Sequence, residues 1–86
     1  MERHFKGLSN HYRLEILLLV DKNSGITVEQ ITEILKANFK TISGHTRKLV
    51  RAGLLNKKYA GSFVKHDLSP YGERMVKFIK EFQKVT

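Results

Sequence analysis

Apolar positions recur along this chain with two different periods, and the switch between them sets out its elements. Leu14, Ile16, Leu17 and Leu18 mark a helix that Ser9 or Asn10 can cap and that ends near Lys22 and Asn23. A short amphipathic opening with Phe5 and Leu8 precedes it, and Asn23-Ser24-Gly25 reads as a turn. Thr27-Val28-Glu29-Gln30 has the form of a capping box, in which the Thr27 and Gln30 side chains each satisfy the other's backbone N–H. Ile31, Ile34 and Leu35 give that second helix one apolar stripe, which Ala37-Asn38 interrupts. Asn38 caps a third helix, predicted over about 39 to 52, with Gly53 at the left-handed position beyond its end.

Past Gly53 the pattern alternates. Residues 55–59 and 63–68 are strand-length runs on either side of Ala60-Gly61-Ser62, a hairpin turn. In the second strand Val64, His66 and Leu68 share one face, while Phe63, Lys65 and Asp67 share the other. Tyr59 and Phe63 are expected to pack against each other across the hairpin rather than to stack on bases. Ser69 caps a last helix, and Pro70 takes its first position, where a missing N–H is harmless. The order helix, helix–turn–helix, hairpin, helix predicts one α+β domain, mostly helical, over residues 1–86, without internal repeats.

The third helix carries the chemistry. At about 100° per residue, with Ile42 at the centre of the buried side, Thr46 and Leu49 stay close to that centre. Lys40, Gly44, Arg47, Lys48 and Arg51 fall opposite. A solvated helix face ordinarily mixes signs in i,i+4 pairs, whereas this one holds cations and no acid. Such a stripe on the second helix of a helix–turn–helix suits the major groove of double-stranded DNA. Thr41 and Ser43 lie toward the helix start, the end that meets base edges. His45 sits on the flank, where packing and DNA contact are both open. Asn38 reads as a cap; Phe39 either touches a thymine methyl or closes the helix–turn–helix. A mid-helix Gly44 costs about 1 kcal/mol against alanine, which close approach to a DNA backbone or close packing against another helix would explain. The hairpin adds Lys57, Lys58 and Lys65, expected on flanking phosphates, although lysines also blunt exposed sheet edges.

Composition narrows the field. The chain has 86 residues, 41% apolar and 28% charged, which suits a small folded domain and leaves no room for the large enzyme folds. Sixteen Lys and Arg against eight Asp and Glu give a formal charge of +8, which points to a polyanionic partner. Without cysteine there is no disulfide, thiol sensor or cysteine zinc site. His4, His11, His45 and His66 lie in different elements without ligand spacing, so neither a metal nor another cofactor is expected. Phosphate-loop, dinucleotide, H-E-x-x-H and G-x-S-x-G signatures are missing, and His66 and Asp67 point to opposite strand faces; the chain does not read as an enzyme. The longest apolar run, residues 16–20, is far short of the roughly 20 residues that span a bilayer. No signal-peptide core lies in the charged opening. The expectation is a cytoplasmic protein without a membrane partner, at the nucleoid if the source is prokaryotic.

These residues carry a family resemblance. Leu8-Ser9-Asn10-His11-Tyr12-Arg13-Leu14-Glu15-Ile16-Leu17 resembles the Leu-(Ser/Ala)-(Asp/Asn)-x-x-Arg-Leu-x-Ile-Leu opening of ArsR-type winged-helix repressors. The segment from Lys40 to Leu55, with its Ser-x-His spacing and Ala-Gly-Leu ending, is similar to their recognition helix and its exit into the wing. Leu68-Ser69-Pro70-Tyr71-Gly72 looks more like the Leu-Thr-x-x-Gly that follows the wing in MarR-type regulators. The resemblance implies a winged helix–turn–helix: a three-helix core, a two-stranded wing and a C-terminal dimerisation helix over about 70–86. It also implies a homodimeric transcription regulator on pseudo-palindromic DNA. Metal-sensing ArsR members carry a cysteine motif or terminal-helix His and Asp; this chain has no Cys, and residues 71–86 hold neither, so metal sensing is not expected. The phenol-binding space of MarR members needs larger dimerisation regions than 86 residues leave.

Dimerisation also follows from the residues themselves. Met75, Phe78, Phe82 and Val85 repeat at 4-3 spacing with Tyr71 a turn earlier and Ile79 alongside, more apolar surface than so small a core needs. A partner copy of this helix is expected to cover them, with Phe5 and the N-terminal segment packed nearby. The expected function is a DNA-binding transcription regulator, a homodimeric repressor. The alternatives are an architectural, weakly specific DNA-binding protein and a winged-helix module for protein contact, against which the basic stripe speaks.

Overall fold

Capping side chains fix where most helices begin. In the computed structural model, which describes residues 2–85 and the side chains of residues 11–82, Thr27 opens helix α2 (Val28–Leu35) with both halves of the capping box formed. Asn38 opens α3 (Phe39–Arg51), its side-chain oxygen accepting from the Lys40 N–H at 2.9 Å and the Thr41 N–H at 3.2 Å. Between them Lys36 adopts φ 51° and ψ 46°, a left-handed C-cap that a non-glycine residue rarely takes. The three-residue connection lays α3 across α2 as the second helix of a helix–turn–helix. Gly53, at φ 79°, ends α3 in the conformation that favours glycine.

The first helix, α1 (Glu2–Lys22), differs from the expectation of a start at Ser9 or Asn10: it is continuous through both. Serine and asparagine cap only where the preceding backbone leaves the helix, and here it does not. Strands β1 (Leu55–Ala60) and β2 (Phe63–Leu68) pair antiparallel around a two-residue turn, Gly61-Ser62, from Leu55↔Leu68 to Ala60↔Phe63. Helix α4 (Pro70–Val85) returns along α1. This is a winged helix–turn–helix, with α1–α3 as the core and β1–β2 as the wing.

Ile16, Leu17, Val20, Ile31, Ile42 and Leu49 bring the three helices together, and Leu55, Val76 and Ile79 extend that core under the wing and α4. An isolated bridge to the wing was not legible in the sequence. Ile26 bridges β2 at His66: the Gly25 N–H donates to the His66 carbonyl at 2.9 Å, and the His66 N–H donates to the Ile26 carbonyl at 2.9 Å. One bridge has no period to read, yet it ties the wing's root to the start of α2. The Ser24 hydroxyl adds a hydrogen bond to the Asp67 carboxylate.

The start of α4 is fastened twice. Ser69 Oγ donates to the Gly53 carbonyl at 2.6 Å and accepts from the Gly72 N–H at 2.9 Å, and the Ser69 N–H donates to the Leu54 carbonyl at 3.1 Å. Gly72 lies so close to the turn at Gly53-Leu54 that a Cβ added there would overlap the Leu54 carbonyl oxygen and sit 3.1 Å from its carbon. Neither atom can swing aside, as both are backbone. Replacing Gly72 with alanine is therefore expected to destabilise the fold by about 3 kcal/mol, the upper range for overpacking. Urea unfolding measures it; a midpoint equal to wild type would contradict this packing.

Candidate nucleic-acid interface

Helix α3 buries Ile42, His45, Thr46 and Leu49 and turns its other side to solvent. The Thr46 hydroxyl donates to the Ile42 carbonyl at 2.8 Å, so the one buried hydroxyl on the inner face is satisfied within the helix. On the outer side Lys40, Thr41, Arg47, Lys48 and Arg51 are exposed, with Ser43 and Gly44 half-buried at its margin. Among the described residues the ion pairs are His11–Glu15 and Lys80–Asp21, so none of these four cations has an acidic partner. Asn38 is occupied as the cap, and Phe39 is half exposed beside it.

Two sequence expectations resolve at this helix. His45 is not on the exposed face. Only 9% of it is accessible, and its ring lies 5.8 Å from that of Tyr12 on α1. Burial, with Arg13 and Lys48 nearby, pushes its pKa below the usual histidine value. Its angular position on the flank allowed either side, and contact with α1 selected the inner one. Gly44, by contrast, has no packing reason: a Cβ there meets nothing within 4 Å. Close packing against another helix is thereby removed as its explanation. Gly44→Ala is expected to stabilise the free protein by about 1 kcal/mol while weakening DNA binding. Thermal unfolding and a binding titration on the same variant test the pair, and an unchanged affinity would leave the glycine without a role.

The wing continues the cationic surface. Lys57, Lys58 and Lys65 are all exposed, and Lys58 stands directly opposite Lys65 in the register. Like charges in that position destabilise a hairpin, so an anion between them would be favourable. Lys57 lies on the other face, opposite His66. A cleft of about 190 Å³ separates the wing from α3, with Ser43, Arg47, Lys57 and Tyr59 among its lining residues. The two surfaces are thus continuous. The expected Tyr59–Phe63 packing is absent, because a two-residue turn pairs Ala60 with Phe63 and Tyr59 with Val64. That register puts the two rings on opposite faces of the ribbon.

His66 anchors the root of the wing. It is buried, and its Nδ1 lies 3.2 Å from the Ile26 carbonyl, a contact that Nδ1 makes as a donor. Burial is the main cause of its lowered pKa and Lys57 adds to it, against the opposing pull of the Ile26 carbonyl, Asp67 and Glu29. Both buried imidazoles, at His45 and His66, therefore titrate below the ordinary value of 6.5 when folded. The unfolded chain binds protons first as pH falls, so stability is complete above about pH 6.5 and declines as pH drops from there through the folded pKa values. Urea midpoints should fall between about pH 7.5 and pH 5, and His66→Asn, which keeps a donor for Ile26, should flatten that slope. A midpoint that rises on acidification would contradict neutral buried histidines.

On α4 the apolar stripe divides. Phe78 and Phe82 are 65% and 62% exposed, with rings stacked 6.4 Å apart, and Tyr71 is exposed a turn or two earlier. Ile79 is buried in the core and Met75 packs against it, so neither belongs to the outward surface expected of them. A 4-3 spacing cannot tell which side of a helix the core takes; here Val76 and Ile79 take it. The side chains of Phe5 and Val85 lie outside the described residues.

Among the described residues no group of three His, Cys, Asp or Glu side chains is placed to hold a metal ion, and no helix is long and apolar enough to cross a membrane.

A helix–turn–helix with a cationic outer face, a basic wing and a closing helix defines the winged-helix fold class. The sequence matches the family described as bacterial regulatory protein, arsR family, over residues 10–57. The chain belongs to that family of bacterial regulatory proteins. The sequence matches no curated protein. Among solved structures, a MarR family transcription regulator superposes with a TM-score of 0.81 at 22% identity, covering 86% of this chain and 51% of its own. FabT of Streptococcus pneumoniae, solved in complex with DNA, gives 0.78 at 18% identity over 85% of this chain and 53% of its own. Reduced HlyU from Vibrio cholerae gives 0.74 at 25% identity over 91% and 82%. The chain thus spans about half the length of the MarR structures it matches.

Proposed function

We propose that this protein is a homodimeric transcriptional repressor that reads a pseudo-palindromic DNA site. Helix α3 enters the major groove, with Thr41, Ser43 and Arg47 toward the bases and Lys40, Lys48 and Arg51 on phosphates. Gly44 lets the helix approach the duplex closely, and Lys57, Lys58 and Lys65 of the wing hold flanking phosphates. Residues 1–86 act as one DNA-binding domain, and the segment 70–86 pairs two copies through Tyr71, Phe78 and Phe82. The observation that carries this reading is the outer face of α3, where four exposed cations lack any acidic partner among the described residues. That the FabT structure contains DNA supports it.

Selection of bound sequences from random duplex DNA tests the proposal. The expected result is an enriched motif with two inverted half-sites about one helical turn apart, roughly 34–36 Å between centres. A featureless bound pool would favour an architectural DNA-coating protein. Absence of binding would favour a module for protein contact.

A further inference from the structure

The wing presents two aromatic rings that have no place in the protein's own packing. Tyr59 is 71% exposed and Phe63 60% exposed, and the register sets them on opposite faces of the hairpin beside its two-residue turn. Burying such rings is worth more than almost any other contact a side chain makes, so a partner that covers both gains a large contact area. Charge identifies the partner. Lys57, Lys58 and Lys65 surround the rings, and the strands' single acid, Asp67, sits at the root, engaged by Ser24. The Tyr59 face also opens onto the cleft shared with Arg47 of α3. A polyanion with apolar surface between its charges satisfies both demands, and the minor groove of DNA has sugar walls beneath its phosphate rims.

We infer that the wing enters the minor groove as an aromatic wedge, with Tyr59 against one wall and Phe63 against the other, and opens it. Dimensions force the opening. A ribbon with large side chains on both faces is about 10 Å thick, the spacing at which sheets stack, whereas the B-form minor groove is about 6 Å wide. Apolar side chains pushed into that groove bend the duplex toward the major groove. The wing then selects flanking sequence by deformability, without a hydrogen bond to any base. Flexible TA and CA steps are favoured, and stiff, narrow A-tracts are disfavoured. The inference rests on the DNA-binding reading and assigns two residues that the basic surface alone leaves idle.

The sign of the flank preference is diagnostic. Lysines by themselves favour A-tracts, whose narrow groove concentrates negative potential; aromatic bulk disfavours them. Take the duplex enriched by selection, in two versions with identical half-sites, one with A-tracts and one with TA/CA steps under the wing. The wild-type chain should bind the flexible version about tenfold more tightly. Energy transfer between labelled duplex ends should show a bend of about 20° or more. Y59A/F63A, whose exposed positions leave unfolding midpoints unchanged, should lose the bend and reverse the preference toward A-tracts. Phe63→Leu, still an apolar wedge, should keep most of the wild-type preference. Equal wild-type affinity for both versions, or a double variant that still bends DNA, overturns the wedge while leaving DNA binding intact. A double variant with altered sedimentation and an unaltered flank preference assigns the rings to contact between copies and likewise overturns it. Failure of the wild type to bind any duplex removes the reading beneath both.

Discussion

Raising salt from about 50 to about 200 mM is expected to weaken specific DNA binding by about 10,000-fold or more. Lys40, Lys48 and Arg51 with the wing lysines can neutralise about 4–6 phosphates per protomer, or about 8–12 for two copies on one site. Each neutralised phosphate releases condensed counterions and adds roughly −0.9 to the slope of log affinity against log salt. The expected slope is therefore about −7 to −11 for a dimer. Because these cations lack acidic partners among the described residues, they need break no internal ion pair to reach a phosphate. Lys48→Ala or Arg51→Ala should reduce the slope and weaken all sequences alike, whereas Arg47→Ala should also alter the preferred motif. A slope shallower than about −3 would remove this assignment of the basic face.

Replacing Phe78 and Phe82 with glutamate is expected to yield monomers and to lower affinity for a two-half-site duplex by about 100-fold or more. Both rings are stacked on each other and mostly in water, while Val76 and Ile79 hold α4 to the core from its other side. The substitution thus leaves the monomer's interior untouched, and the Lys80–Asp21 ion pair, at 2.8 Å, still ties α4 to α1. Covering two phenylalanines contributes about 3–6 kcal/mol per protomer before the cost of association. Without it each recognition helix binds its half-site alone, and the effective concentration that links them is lost. Sedimentation at micromolar concentration is the direct check: a monomeric wild type would leave one recognition helix per site.

Where a local signal is complete, the sequence and the structure agree. Thr27 with Gln30, Asn38 before an amphipathic run, Gly53 after it, and the Ser69 cap on the Gly72 N–H each rest on hydrogen bonds among a few neighbouring residues. The basic stripe of α3 was legible for the same reason, since a helix fixes its own angular order. The differences arise where the deciding feature lies outside the residue pattern that was read. Whether Ser9 and Asn10 cap or continue a helix depends on backbone before them. The side of His45 depends on Tyr12, thirty-three residues earlier. The faces of Tyr59 and Phe63 depend on a turn of two residues where three were expected, and one residue of slip transfers a ring across the sheet. The same limit divides α4, whose period shows a stripe but not which half the core claims.

The hydrogen bond from Ser69 to the Gly53 carbonyl closes the chain on itself across a separation of 16 residues. Everything between those two residues, the whole wing, leaves and returns at a single point. The wing is consequently a module: its length can change at Gly61-Ser62 without moving α4 relative to α3. Across descendants of this chain, reach along the DNA can therefore vary independently of the frame that aims the recognition helix. Insertions should accumulate at the tip of the ribbon, and almost none in the knot at its base.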